Sequence, residues 1–225
     1  MEHPNYPVIT IDGPSSSGKG TIARRVAKAL NFNLLDSGAL YRAVVVAAFN
    51  EKVSLTDKIR LSILIDDLNI IFDNNDDETE KILLNGQDIT RAIRHESTGL
   101  NASIVAEIPE VRVSLLNRQR SFLKKPGLIA DGRDMGTHVF PSAPMKIFLT
   151  ANHEVRAERR YNQLKEKGMS VNLAAVSKEL KSRDQRDSDR LVAPLKAAED
   201  AKTLDTSNLS IEIATNTVLK WFVNK

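Results

Sequence analysis

The stretch Ile11-Asp12-Gly13-Pro14-Ser15-Ser16-Ser17-Gly18-Lys19-Gly20-Thr21 constrains the fold of this chain more than any other. A short apolar run, Tyr6 to Ile11, precedes it and reads as a buried strand. A helical pattern follows, carried by Ile22, Val26, Ala29 and Leu30. Strand, G-x-x-x-x-G-K, helix is the context of a phosphate-binding loop. Its glycines let backbone N–H groups curl round a phosphate without Cβ clashes. The helix start adds unpaired N–H groups and a positive dipole end. Lys19 brings a point charge to the β- and γ-phosphates. The expected triphosphate-binding set is Gly13, Pro14, Ser15, Ser16, Ser17, Gly18, Lys19, Gly20 and Thr21.

The loop departs from the usual pattern in one place. Gly20 stands directly after the lysine, where Ser or Thr ordinarily holds Mg²⁺, and Thr21 comes one residue later. The form G-K-G-T resembles the nucleoside monophosphate kinases. A nucleotide-dependent switch would need the hydroxyl after the lysine and an N-K-x-D base-reading motif, and both are missing. Another small-molecule P-loop kinase, of the shikimate or a different nucleotide type, stays open on the loop alone.

With 225 residues the chain can bury a full core as one domain with insertions. A formal net charge of only +3 and 5% aromatic residues argue against a nucleic-acid-binding ATPase. There are no cysteines, which excludes disulfides, thiol catalysis and cysteine metal sites. The N-terminus has no charged-then-apolar signal pattern. The longest apolar run, Ala43 to Phe49, falls far short of the ~18 residues of a membrane span. The expectation is a soluble cytoplasmic enzyme without a membrane partner.

Beyond the loop helix, Asn31–Leu35 reads as a second strand broken by Asp36-Ser37-Gly38. A helix over 39–49 follows, with Ser37 as its N-cap. Arg42 lies in the first turns, where it could meet a bound phosphate. Thr56-Asp57 is expected to cap a helix to Asp67 with Ile59, Ile63 and Leu64 on one face. Residues 68–90 read as a small antiparallel insertion, because Asn85-Gly86 between short apolar runs is a hairpin signal. The acidic window 66–80 lacks the spacing of a calcium loop and reads as a solvated tip. Two helices follow, up to Glu107 and from Pro109. The second is expected to turn Val111, Leu115, Leu116 and Phe122 inward and to project Arg112, Arg118 and Arg120.

Leu128–Asp131 is an apolar strand ending in a carboxylate, so Asp131 is a candidate to orient Mg²⁺-bound water beside the loop. Met145–Leu149 and Lys202–Asp205 complete five strands, and 211–223 closes the chain as a helix. Helical patterns over 153–167 and 172–189 hold ten basic and seven acidic residues between His153 and Arg190. In a phosphate-transfer enzyme such a pair reads as a lid. The order of elements implies an α/β fold: a five-stranded parallel sheet flanked by helices, with ligand at the carboxyl ends of the strands. To it are added a small inserted antiparallel β region and a helical lid. The chain reads as a single domain, 1–225, with an acceptor-binding region at 37–125, the hairpin at about 68–90 and the lid at 153–170.

Four motifs together resemble bacterial cytidylate kinases, within the P-loop monophosphate kinases. They are Gly13–Thr21, Leu35-Asp36-Ser37-Gly38-Ala39-Leu40-Tyr41-Arg42, Asp131-Gly132-Arg133-Asp134-Met135-Gly136-Thr137, and Arg183-Asp184-Gln185-Arg186-Asp187 followed by Arg190. The likeness runs from Pro7 to Trp221. It implies transfer of the γ-phosphoryl of ATP to CMP or dCMP, with Mg²⁺, by a monomer. It also implies that Ser37, Arg42 and Arg133 contact the acceptor phosphate. Ser103, Arg112 and Asp134 resemble the family's cytosine readers, supported by Arg190. Arg183 and Asp187 match its sugar-contacting pair.

The chemistry agrees with that likeness. A nucleoside monophosphate has a second pKa near ~6, so its oxygen is already an anionic nucleophile at neutral pH. No general base is required, and His3, His95, His138 and His153 form no pattern that would supply one. What transfer needs is alignment and charge screening. Lys19, Arg133, Arg183 and a lid arginine such as Arg159 are the expected catalytic cations. Exclusion of water implies that the lid and the acceptor region close on their substrates.

Overall fold

The computed structural model describes residues 6–73 and 81–224. In chain order its elements are β1 (Val8–Asp12), α1 (Lys19–Leu30), β2 (Asn33–Asp36), α2 (Ser37–Asn50), α3 (Lys58–Asp67), β3 (Ile70–Asp73), β4 (Lys81–Leu84) and β5 (Gln87–Asp88). A 3-10 turn at Ala92–Arg94 leads into α4 (Glu96–Val105) and α5 (Pro109–Arg120). Then come β6 (Leu128–Gly132), a π-helical turn (Met135–Val139), β7 (Met145–Thr150), α6 (His153–Glu166), α7 (Leu173–Asp189), β8 (Lys202–Asp205) and α8 (Ile211–Val223).

These elements form two compact units, one of residues 1–35 and 120–225, the other of residues 36–119. The first holds a five-stranded sheet in the order β2-β6-β1-β7-β8. β1 pairs in parallel with β6 and β7, and β7 with β8. β1 and β6 are buried along their whole length, as strands covered on both faces must be. Ile9, Ile11, Ile129 and Ile147 pack with Ile22 and Val26 of α1 and with Ala214 and Val218 of α8. The β1–β6 register sets Ile11 opposite Asp131 and Asp12 opposite Gly132. Two carboxylates therefore stand at the carboxyl ends of neighbouring strands, where α/β sheets place their ligands.

The second unit is wound round α2, which buries residues on nearly every side (Ala39–Tyr41 and Ala43–Ala48). A helix apolar all round can exist only inside a core. The short sheet β3-β4-β5 is antiparallel, as the Asn-Gly signal implies. Asn85 and Gly86 take φ of 49° and 82°, the left-handed pair that a two-residue hairpin turn demands. The acidic tip falls mostly in residues 74–80, outside the described residues.

Four local expectations are corrected. Ser37 is the first residue of α2, not its cap; the Asp36 carboxylate caps it, accepting from the Ala39 N–H at 2.9 Å. On α3 the buried positions are Leu61 and Ile65, with Leu68 just beyond, while Ile59 and Ile63 face solvent. Residues 59–65 carry apolar side chains on two overlapping stripes, and packing on the α2 core selected the second. Arg112 does not project from α5: it is buried, donating to the Tyr41 hydroxyl at 3.4 Å and the Ala106 carbonyl at 3.3 Å. Phe122 lies past the end of α5.

Candidate active site

The loop between β1 and α1 has the form its sequence requires. Gly18 precedes α1 at φ 87°, no side chain caps the helix, and its first turn holds no acid. The positive end of α1 is thus left to an anion. Ser17 Oγ donates to the Pro14 carbonyl at 3.0 Å, and Lys19 Nζ reaches the same oxygen at 3.3 Å.

Two arginines and a threonine brace this loop from outside. Arg133, just past β6, donates to Ser15 Oγ at 2.8 Å. Arg156, on α6, donates to the Ser15 carbonyl at 3.2 Å, to Ala151 O at 2.9 Å and to Asp184 Oδ2 at 2.6 Å. Thr206 Oγ1, beyond β8, donates to the Ser17 carbonyl at 2.9 Å. Arg159 does not reach the loop: it donates to the Thr206 carbonyl at 2.6 Å and to its hydroxyl at 3.2 Å. Arg156 thus touches the loop directly, and Arg159 is tied to it through Thr206.

Asp187, on α7, is the electrostatic centre of this half. It accepts from Arg133 Nε at 2.8 Å and pairs with Arg190. Burial opposes its ionisation, but Arg133, Arg190 and Arg183 outweigh burial and hold its pKa below the ordinary carboxylate range. Burial likewise opposes the charge on Arg133, and Asp187 overrides it, so Arg133 stays protonated more firmly than a free arginine.

Asp12 was absent from the sequence-based candidates. It is buried, and its two carboxylate oxygens accept from the N–H groups of Met135 and Gly136, each at 2.8 Å. Burial pushes its pKa up to about 7, against the downward pull of those two N–H groups. Nearby Asp134 and Asp131 add to the rise. The two aspartates make opposite contributions to stability. The raised pKa of Asp12 means that the folded chain binds a proton the unfolded chain has released. Its contribution is complete below about pH 4 and declines as pH rises toward about 7, by up to about 4 kcal/mol. The depressed pKa of Asp187 contributes above about pH 4 and is lost as pH falls through its folded value. Urea midpoints of the nucleotide-free protein should therefore fall from pH 5 to pH 7.5. Asp12→Asn should flatten that decline; an equally steep decline in the variant would rule out Asp12 as its source.

Asp131 is buried at the end of β6, beside the start of α1. A Cβ at position 20 would lie 3.2 Å from Asp131 Oδ2, so Gly20 leaves that carboxylate room which Ser or Thr would crowd. No group of three His, Cys, Asp or Glu suited to a metal occurs among the described residues. Mg²⁺ commonly uses one or two carboxylates and takes its other ligands from water and phosphate oxygens. A single buried carboxylate beside a phosphate loop fits that mode.

In the second unit, Ser103 on α4 is buried, and its hydroxyl has no hydrogen-bond partner among the described residues. Arg42 on α2 lies against Gly99 of α4, about 3.7 Å from where a Cβ there would sit. Ser37 is buried at the start of α2. Ser37, Arg42, Ser103 and Arg112 thus belong to this unit, while the loop, Asp131, Arg133, Asp134, Arg183, Asp187 and Arg190 belong to the sheet unit. Among the described residues, no helix is long and apolar enough to cross a membrane.

A family model described as cytidylate kinase matches residues 9–224. A cytidylate kinase of Azotobacter vinelandii is 56% identical over 206 residues, covering 91% of this chain and 90% of that protein. One of Stutzerimonas stutzeri is 56% identical, covering 92% of this chain and 90% of its own length. One of Methylococcus capsulatus is 55% identical and covers 92% of each. By span and identity alike, the chain belongs to the cytidylate kinase family.

Proposed function

We propose that this chain transfers the γ-phosphoryl group of ATP to CMP or dCMP, giving ADP and CDP or dCDP. The observation that carries the reading lies within the sheet unit: Arg133, a candidate acceptor-phosphate ligand, is hydrogen-bonded to Ser15 of the loop that would hold the donor. One arginine is thus within reach of both phosphates whose repulsion must be overcome. Lys19 and the backbone N–H groups of the loop 13–21, Pro14 excepted, hold the β- and γ-phosphates of ATP. Asp131 would hold Mg²⁺ through water, and the ion would supply screening of phosphate charge. The acceptor's anionic oxygen attacks without a general base, so the protein supplies alignment and positive charge. Arg133 and Arg183 carry that charge together with Lys19. Arg159 can join them only after releasing Thr206.

On the acceptor side, Ser37, Arg42 and Arg133 bind the CMP phosphate. Ser103, Arg112 and Asp134 read cytosine with Arg190 in support, and Arg183 and Asp187 hold the sugar. The unpartnered Ser103 hydroxyl supports a ligand there, because a buried polar atom without a partner costs about 1–3 kcal/mol. Cytosine presents an amine donor where uracil presents a carbonyl acceptor, so a carboxylate at position 134 accepts from the first and repels the second. Helices α6 and α7 act as the lid that excludes water. The enzyme works as a monomer in the cytoplasm on free nucleotides, without nucleic-acid or membrane partners; the net charge of only +3 supports the absence of a nucleic-acid partner.

A coupled assay with ATP and Mg²⁺ across CMP, dCMP, UMP, AMP and shikimate tests the reading. CMP and dCMP should exceed the others by at least tenfold in kcat/KM, and preference for any other acceptor would overturn it. In Asp134→Ala the CMP-to-UMP ratio should fall by about tenfold while KM for ATP changes little. An unchanged ratio would remove Asp134 from base recognition.

A further inference from the structure

The π-helical turn Met135–Val139 follows directly on Arg133 and Asp134, yet Asp134 does not cap it. The cap comes from another strand. Asp12, at the end of β1, accepts the first two N–H groups of the turn, from Met135 and Gly136, both at 2.8 Å. At the other end, Arg120 Nε donates to the Val139 carbonyl at 2.9 Å and Nη2 to the His138 carbonyl at 3.4 Å. The turn therefore has an anion on its exposed N–H groups and a cation on its exposed carbonyls, the signs that a helical dipole favours. It is also wedged sideways: a Cβ on Gly136 would stand 2.8 Å from Thr10 Oγ1 of β1 and 3.2 Å from the Lys146 side chain of β7. Asp12 is only 4% exposed and has no part in the transfer chemistry described above. A carboxylate at such depth is costly, and what it holds is the segment that begins at Asp134.

We propose that Asp12 and Arg120 are positioning residues for acceptor selection: by clamping the two ends of the 135–139 turn they fix the direction in which Asp134 presents its carboxylate. This rests on the reading of Asp134 as a base-selecting residue. In D12N the side chain offers one oxygen to one N–H and turns an NH₂ toward the other, so one end of the clamp is lost without loss of volume. In R120Q the two-pronged guanidinium is lost, whereas R120K keeps a cation that can reach one carbonyl.

The test measures kcat/KM for CMP and UMP, KM for ATP and thermal melting in D12N, R120Q, R120K and D134A. The CMP-to-UMP ratio should fall about five- to tenfold in D12N and R120Q, with KM for ATP within about twofold of the parent. R120K should retain most of the ratio. If D134A lowers the ratio while folded D12N and R120Q leave it unchanged, or lower CMP and UMP turnover equally, the clamp is overturned. If D12N does not fold, R120Q decides, since Arg120 is partly exposed and lies outside the phosphate loop. An unchanged ratio in D134A would overturn the Asp134 reading itself, and the clamp with it.

Discussion

Lys19→Ala should lower kcat by about a thousandfold and leave the melting temperature within about 2 °C of the parent. The lysine sits at the first position of α1, partly exposed, and donates to the Pro14 carbonyl of its own loop at 3.3 Å. The fold therefore depends on it little. The large expected loss of rate follows because in phosphoryl transfer the protein contributes positioned charge more than covalent chemistry. A Lys19→Ala variant with kcat within tenfold of the parent would show that the triphosphate is held elsewhere. Circular dichroism and melting on the same preparation separate loss of chemistry from loss of fold.

Asp187→Ala should differ from Lys19→Ala in costing stability as well as the hold on the sugar. Its side chain is 2% exposed, and it faces Arg133 and Arg190, at 14% and 6%. Removing the carboxylate leaves two largely buried guanidinium groups without their shared counter-charge. Breaking such a buried pair costs about 3–5 kcal/mol, which for a chain of this length lowers the melting temperature by about 10 °C. Asp189→Ala serves as the control, since Asp189 is exposed and accepts only a local bond from Gln185. If the two variants melt together, Asp187 is not the centre of an ion-pair network. Inorganic phosphate should recover part of the loss in Asp187→Ala, because an anion can replace the missing charge.

Features written in consecutive residues are legible in the sequence. The phosphate loop, the Asn85-Gly86 hairpin, the five strands and the closing helix each depend on short-range geometry that composition and spacing encode. Features that depend on distant partners are not. Asp12 and the turn it caps are more than 120 residues apart in sequence, and nothing local to either announces the other. Arg156 and Arg159 lie on one helix with similar neighbours; only the location of Asp184 and of Thr206 decides which one meets the loop. Arg112 read as a surface arginine because its burial depends on Tyr41, contributed by a different helix. The stripe on α3 was misread because residues 59–65 offer two apolar faces and only the core they meet could choose.

Helix α2 has a consequence for how damage to this protein shows itself. It is a nearly uncharged rod, and its wrapping of short helices and a three-stranded sheet is what keeps it from water. A lesion that loosens this wrapping exposes a sticky surface to other chains and feeds aggregation and proteolysis. Such a lesion lowers the number of enzyme molecules in the cell, and those that remain turn over normally. A lesion at Lys19 should leave the number intact and silence each molecule. Yield and specific activity, compared across a set of variants, therefore separate residues that hold the fold from residues that serve the transfer.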